Sequence, residues 1–90
     1  MQADKNKTLR KLKTVRGQLD GLIKMVEDDR YCVDISNQIM ASISILKNIN
    51  TEVLKAHLEH CVHDAISNGD VDDIEKKFEE IENIVKKLAK

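Results

Sequence analysis

Three side chains with metal-binding chemistry recur on one face of a long uninterrupted segment of this sequence. Cys32, His57 and Cys61 lie in residues 32–65, which contain neither proline nor glycine. At about 100° per residue, the steps from Cys32 to His57 and from Cys32 to Cys61 each return a helix to within about 20° of the same face. Two thiolates and an imidazole are a soft ligand set. They suit Cu(I), which accepts trigonal coordination, whereas structural Zn(II) usually takes four ligands.

These three side chains cannot meet within one chain if the segment is a single helix. At about 1.5 Å rise per residue, Cys32 and His57 are about 40 Å apart, whereas His57 and Cys61 are one turn apart. A second copy of the helix running antiparallel brings Cys32 of one chain to His57 and Cys61 of the other, with the two-fold axis near Ile45 and Leu46. The spacing therefore predicts two sites per dimer, each formed by both chains.

Other interpretations of these residues stay open on spacing alone. The cysteines could be small buried hydrophobic residues, and Cys32, at the start of a helix, could be an activated nucleophile for redox or persulfide chemistry. Because Cys32, His57 and Cys61 all lie on one face of the helix, a metal site is favoured over these alternatives. His60 and His63 point away from this face and are expected at the surface, although His60 is also a candidate fourth ligand. Tyr31 could donate a hydrogen bond to the site or serve only in packing.

The elements that must position these residues are predicted to be three helices. Apolar residues recur every three or four positions over about residues 5–28, 32–66 and 70–88, the period of an amphipathic helix. Gly69 is a natural left-handed end for the second helix and Asp70 can cap the third. With 41% hydrophobic residues and no proline, the composition predicts an all-α protein. Residues 1–90 form one small domain whose thin core predicts burial between subunits.

The first helix carries a basic face although the whole chain is close to neutral. The formal net charge is -1, yet residues 5–16 contain six lysines and arginines and no acidic residue. Any affinity for nucleic acid must come from this local patch. Gly17 and Gly21 lie on the same face and predict a close approach to the helix backbone, either by a phosphate backbone or by a neighbouring helix.

Several classes of protein are not expected. Two cysteines without a secretory signal indicate reduced thiols in the cytoplasm. No apolar run approaches the ~20 residues that span a membrane, so no membrane partner is expected. A glycine-rich phosphate loop, paired carboxylates and a serine–histidine–acid pattern are all missing from the sequence. The chain is therefore not expected to be an enzyme.

A series of motifs across residues 8–75 matches a known family. They are Gly17-Gln18 with Gly21, Met25-Val26-Glu27, Asp29-Arg30-Tyr31-Cys32, Asp34-Ile35, Gln38-Ile39, Lys47, His57-Leu58-Glu59-His60-Cys61-Val62 and Gly69-Asp70. With these motifs the chain resembles the CsoR-type repressors, a superfamily of copper, nickel/cobalt, formaldehyde and persulfide sensors. The resemblance implies a homotetramer, a dimer of dimers of three-helix protomers. Its metal-free form would bind operator DNA and repress copper efflux or storage genes, and Cu(I) would release it.

The resemblance also implies roles for individual residues. In the copper branch the ligands correspond to Cys32 of one subunit and His57 and Cys61 of its partner, the set that the helix geometry predicts. Persulfide sensors keep both cysteines but lack the histidine, so His57 favours Cu(I). Positive residues on the first two helices bind DNA in this family. The candidates here are Lys7, Arg10, Lys11, Lys13, Arg16 and Lys47, and the family commonly has arginine at the positions of Lys11 and Thr14.

One further position differs from the copper branch. That branch commonly has a glutamate on the third helix beside the metal ligands, and the residue that aligns there without gaps is Lys77. Glu75, Glu79 or Glu80 takes this place only if the helix register differs.

The sequence thus predicts a cytoplasmic, Cu(I)-responsive transcriptional repressor. One alternative is a persulfide-sensing repressor that uses the Cys32/Cys61 thiol pair. A further alternative is a copper-buffering helical bundle that does not bind DNA, which the basic first helix disfavours.

Overall fold

The computed structural model describes residues 1–69 and 71–88, which form three α-helices: α1 (Lys5–Glu27), α2 (Cys32–Asn68) and α3 (Val71–Leu88). No strand occurs within these ranges, and the predicted all-α fold with a long central helix is confirmed. The predicted cap at Asp70 lies outside the described residues. None of the described helices is long and apolar enough to cross a membrane.

Local hydrogen bonds explain where α1 begins and ends. The Asp4 carboxylate accepts hydrogen bonds from the backbone N–H groups two and three residues further on, at 3.0 and 3.2 Å, which satisfies donors that the helix itself leaves unpaired. At the other end, the Arg30 N–H bonds to the carbonyl of Met25 at 3.0 Å, and Asp29 adopts a left-handed conformation with φ 52°. This is a Schellman ending. It stops α1 and lets α2 start at Cys32.

A glycine ends α2. Gly69 has φ 65°, and its N–H bonds to the Ala65 carbonyl at 3.1 Å. Glycine adopts this left-handed conformation without the steric cost that a Cβ imposes. The predicted glycine cap is confirmed.

The described chain divides into two compact units, with the boundary inside α2 after residue 50. We call residues 4–50, which contain α1 and the first part of α2, the hairpin unit. We call the unit formed by residues 1–3 and the described residues from 51 onward the α3 unit.

The hairpin unit has a small core with a polar pair in it. Val15 of α1 and Ile49 of α2 are buried, at 4% and 6% exposure. Ser42 is equally buried, and its Oγ donates a hydrogen bond to Oε1 of Gln18 at 2.7 Å. Because the buried hydroxyl has a partner, its removal from water is compensated.

Further apolar side chains of the hairpin unit remain exposed. On α1 the exposed fractions are 42% for Leu12, 50% for Leu19 and 57% for Ile23. On α2, Ile39, Ile43 and Leu46 are each 44% exposed, and we call these three residues the α2 seam. A single hairpin unit therefore leaves much of its apolar surface unburied.

Candidate metal centre

One group of side chains in the described residues has the geometry of a metal site, and it lies in the α3 unit. His57, Cys61 and Glu80 each contribute one donor atom, and these three atoms all lie within 4.8 Å of one another. His57 and Cys61 are four residues apart on α2, which puts them on the same face, and Nε2 and Sγ are 3.3 Å apart. From α3, Glu80 reaches the same place. Its Oε1 hydrogen-bonds to His57 Nε2 and lies 4.0 Å from the Cys61 Sγ.

This cluster is buried at the thiol and open on its other side. Cys61 is 5% exposed, whereas the side chains of His57 and Glu80 are 43% and 38% exposed. An open cleft that includes Val53 and Asn83 borders the imidazole and the carboxylate. An ion can therefore approach the two exposed ligands from solvent while the thiol stays shielded.

The Glu80 carboxylate is held by two partners. One oxygen hydrogen-bonds to His57, and the other is 3.7 Å from the Lys77 ammonium, three residues earlier on α3. The hydrogen bond with His57, reinforced by the charges of His57 and Lys77 and opposed by partial burial, lowers the pKa of Glu80 below its ordinary 4.5. Partners that favour the charged form of a carboxyl group act in this direction. Glu80 is therefore an ionised acceptor at neutral pH.

Glu80 is the acidic residue that the sequence left undecided. Alignment without gaps puts Lys77 beside the ligands, but in the structure Glu80 makes the contact and Lys77 is its salt-bridge partner. Glu80 was not among the site residues predicted from the sequence. Glu80 stands one turn before Ile84, but only the structure shows that Ile84 is buried, so no signal in the sequence distinguished Glu80 from Glu75 or Glu79.

The remaining predicted ligand lies in the hairpin unit and is not part of the cluster. Cys32 is the first residue of α2, and its thiol is exposed. Tyr31 immediately before it is 68% exposed. The Tyr31 carbonyl accepts hydrogen bonds from the N–H groups of Asp34 and Ile35 at 3.0 and 3.2 Å, which starts the first turn of α2. The cluster thus contains two of the three predicted ligands.

The other two histidines also lie apart from the cluster. His60 Nε2 is 3.2 Å from the Asp64 carboxylate one turn later, and both side chains are about half exposed. His63 is exposed. Both positions agree with the angles of these residues on a helical wheel.

The candidate DNA-binding residues all belong to the hairpin unit. They are Lys7, Arg10, Lys11, Lys13, Arg16 and Lys47. The first three line a groove of about 290 Å³ together with Thr14. Lys11 also donates a hydrogen bond to Oδ1 of Asn48 at 2.8 Å, which links α1 to α2 directly beside the exposed Lys47.

The two glycines of α1 leave the helix backbone accessible. A Cβ placed on Gly17 or Gly21 would meet nothing within 4 Å apart from the adjacent residues and the nearby backbone of the helix itself. Space for a phosphate group or for a helix of another molecule is therefore present next to both residues.

Comparison with known proteins gives consistent matches along most of the chain. The model of the metal-sensitive transcriptional repressor family matches residues 4–89. The chain is similar to the copper-sensing transcriptional repressor CsoR of Bacillus subtilis (strain 168), with 41% identity over 87 residues that cover 97% of this chain and 83% of that protein. It is 46% identical over 69 residues to CsoR of Mycobacterium tuberculosis (strain ATCC 25618 / H37Rv), covering 77% of this chain. The aligned part is 58% of the mycobacterial protein's length.

Two solved structures share the fold. The copper-sensing repressor CsoR with Cu(I) from Geobacillus thermodenitrificans NG80-2 has a TM-score of 0.80 and 38% identity, covering 94% of this chain and 85% of that chain. The nickel-responsive transcriptional regulator InrS has a TM-score of 0.84 and 23% identity, covering 98% and 96%. At that lower identity the likeness concerns the fold alone.

Proposed function

The chain belongs to the metal-sensitive transcriptional repressor family, and on this premise we propose that Cu(I), bound between two subunits, releases it from DNA. Membership in a family of metal-sensing repressors confirms the prediction of a transcriptional regulator rather than an enzyme. The observation that carries the finer proposal is the pairing of His57 and Cys61 on one turn of α2, with donor atoms 3.3 Å apart.

The proposed ligands are Cys61 and His57 of one chain and Cys32 of a second chain. One thiol and one imidazole already lie together, and a soft metal ion favours a further sulfur ligand. Cys32 is exposed at the start of α2, so another chain can reach it. Cu(I), when bound, supplies a bond between two subunits that the metal-free protein lacks.

The exposed α2 seam is further support for the proposal that a second chain packs against α2. Ile39, Ile43 and Leu46 follow the same three–four spacing as Cys32 and remain 44% exposed each. Apolar rows on helices become buried when a second helix packs on them. We place an antiparallel copy of α2 against this seam, and the family resemblance extends the pair to a dimer of dimers.

Glu80 provides a physical link from the ligands to α3. Its carboxylate hydrogen-bonds to Nε2 of His57, the nitrogen that also faces the Cys61 thiol, and one imidazole nitrogen cannot keep this hydrogen bond and bind a metal ion as well. Metal binding at Nε2 would therefore break the charge-assisted hydrogen bond that connects His57 to α3. The affinity for DNA then falls by the coupling free energy between the metal and DNA sites.

The proposed DNA-binding surface is the basic face of the hairpin unit. The proposed place of action is the cytoplasm. Lys7, Arg10 and Lys11 line one groove, and the open backbone at Gly17 and Gly21 lets a phosphate approach closely. Contacts of this kind are largely to phosphate. The affinity should therefore fall steeply as salt concentration rises.

The test is an anaerobic DNA-binding titration with fully reduced protein. The metal-free protein first selects a binding fragment from a random DNA library, and fluorescence anisotropy then follows release by Cu(I) or, separately, by a polysulfide donor. We expect release at about one Cu(I) per chain, as two sites per dimer require, and loss of this response in His57→Ala. His63→Ala, an exposed histidine outside the cluster, is the matched control.

Two outcomes would overturn the proposal in favour of the alternatives. Release by polysulfide alone, with His57→Ala behaving like the parent, would identify a persulfide sensor that uses Cys32 and Cys61. Tight Cu(I) binding by a protein that selects no DNA fragment would identify a copper-buffering bundle.

A further inference from the structure

The geometry points to a second kind of metal ion for the same cluster: a divalent ion of the Zn²⁺ class, held within one chain by His57, Cys61 and Glu80. Nitrogen, sulfur and carboxylate oxygen together are a ligand set of Zn²⁺ and related borderline ions, whereas a carboxylate is a poor ligand for soft Cu(I). The inference rests on the proposed function only where it assigns Cys32 to the Cu(I) site.

Two of the three donor–donor distances are close to those of a tetrahedral ion. With a Zn–S bond of about 2.3 Å and Zn–N and Zn–O bonds of about 2.1 Å, the sulfur atom should lie about 3.6 Å from each of the other two donors. The Cys61 Sγ lies 3.3 Å from His57 Nε2 and 4.0 Å from Glu80 Oε1, on either side of that value. His57 and Glu80 share a hydrogen bond. The ion would take the place of the shared hydrogen, and the two atoms would separate to admit it.

The surroundings of the cluster suit such a site. All three ligands belong to the α3 unit, so no second chain is needed to form it. Lys77 contacts the other carboxylate oxygen, Oε2, at 3.7 Å, which leaves Oε1 for the ion. The open cleft beside His57 and Glu80 can supply water as a fourth ligand, and three protein ligands with one water is a common Zn²⁺ arrangement. Binding requires that the Cys61 thiol releases its proton.

This site has a consequence for copper sensing. A divalent ion would occupy two of the three proposed Cu(I) ligands, His57 and Cys61, and leave Cys32 unbound. It would compete with Cu(I) without joining two subunits.

The test measures Co²⁺ binding to the reduced, full-length chain by its visible absorption, with Zn²⁺ added to displace it. Glu80→Gln is expected to weaken Co²⁺ binding by more than about 100-fold and to alter the d–d bands, since a residue that only orients a ligand typically accounts for about 10–100-fold. Glu79→Gln, a neighbouring carboxylate beside the same cleft, is the matched control. Lys77→Met removes a positive charge that repels the cation and should tighten Co²⁺ binding. Circular dichroism checks that each variant is folded.

A second pair of measurements separates this inference from the Cu(I) proposal. Cys32→Ser should keep the Co²⁺ spectrum and affinity of the parent but lose Cu(I) affinity in competition with a chromophoric chelator. Unchanged Co²⁺ binding in Glu80→Gln would overturn the divalent site, and so would loss of Co²⁺ binding in Cys32→Ser. Unchanged Cu(I) affinity in Cys32→Ser would instead refute the proposed Cu(I) ligands and leave the divalent site standing.

Discussion

The α2 seam gives a quantitative test of the proposed subunit interface. Each side chain of the seam, Ile43 included, keeps 44% of its surface exposed in the single chain. Complete burial of an isoleucine side chain contributes about 1.5–3 kcal/mol, so burying the remaining 44% contributes about 0.7–1.3 kcal/mol. In a symmetric pair the residue is buried twice, and its contribution to association is about 1.3–2.6 kcal/mol.

Replacing Ile43 by aspartate removes this contribution from both chains. Since about 1.4 kcal/mol corresponds to a tenfold change in affinity, loss of the apolar burial alone raises the subunit dissociation constant roughly tenfold to just under 100-fold. Desolvation of the two new carboxylates adds to this effect. We therefore expect Ile43→Asp to shift the metal-free protein toward monomer.

Sedimentation equilibrium of the reduced, metal-free protein measures this shift directly. Asn37→Asp introduces the same charge at an exposed position of α2 that lies about 120° around the helix from Ile43, and it should leave the association unchanged. Equal helicity of both variants by circular dichroism excludes misfolding. If Ile43→Asp associates as tightly as the parent, the seam is not the subunit interface and the antiparallel pairing built on it is wrong.

Three further predictions follow from individual contacts. The pKa of Glu80 is lowered in the folded chain, so its ionised form stabilises the fold above the ordinary value of 4.5, and this contribution is lost as pH falls through the lowered pKa. The difference in free energy of unfolding between the parent and Glu80→Gln, measured in urea on metal-free protein, should therefore shrink below pH 4.5; a pH-independent difference would contradict the contact. Lys11→Gln should reduce the slope of log affinity for DNA against log salt by about 0.9, the loss of one phosphate contact, and an unchanged slope would remove Lys11 from the interface. Ser42→Ala leaves the side-chain oxygen Oε1 of Gln18 without its 2.7 Å donor and should lower the free energy of unfolding by about 1 kcal/mol. The exposed Ser44→Ala should change it less, and equal effects would mean that the Ser42–Gln18 hydrogen bond adds no stability.

The sequence was sufficient to predict the three helices because their signals are local. The apolar period that marks a helix extends over a few turns, and each helix end depends on residues within one turn of it. Gly69 illustrates this, since the freedom of glycine to adopt φ 65° is a property of the residue itself.

The exposed apolar residues of α2 were only partly predictable from the sequence. Their three–four spacing was visible in the sequence, but spacing alone does not say which apolar row packs inside the chain. In the structure Ile49 is buried in the hairpin unit while Ile43 remains 44% exposed. Only the packing of α1 on α2 separates the two rows.

The candidate site also has one part that the sequence predicts and one part that depends on tertiary packing. The sequence by itself determined the His57–Cys61 pair, because residues four apart on one helix must be neighbours. It did not determine the acidic residue, since the rotation and depth of α3 against α2 decide which of several glutamates reaches His57. Those quantities depend on how side chains from distant parts of the chain pack together. Only the tertiary structure therefore placed Glu80, with Lys77 beside it, next to His57 and Cys61.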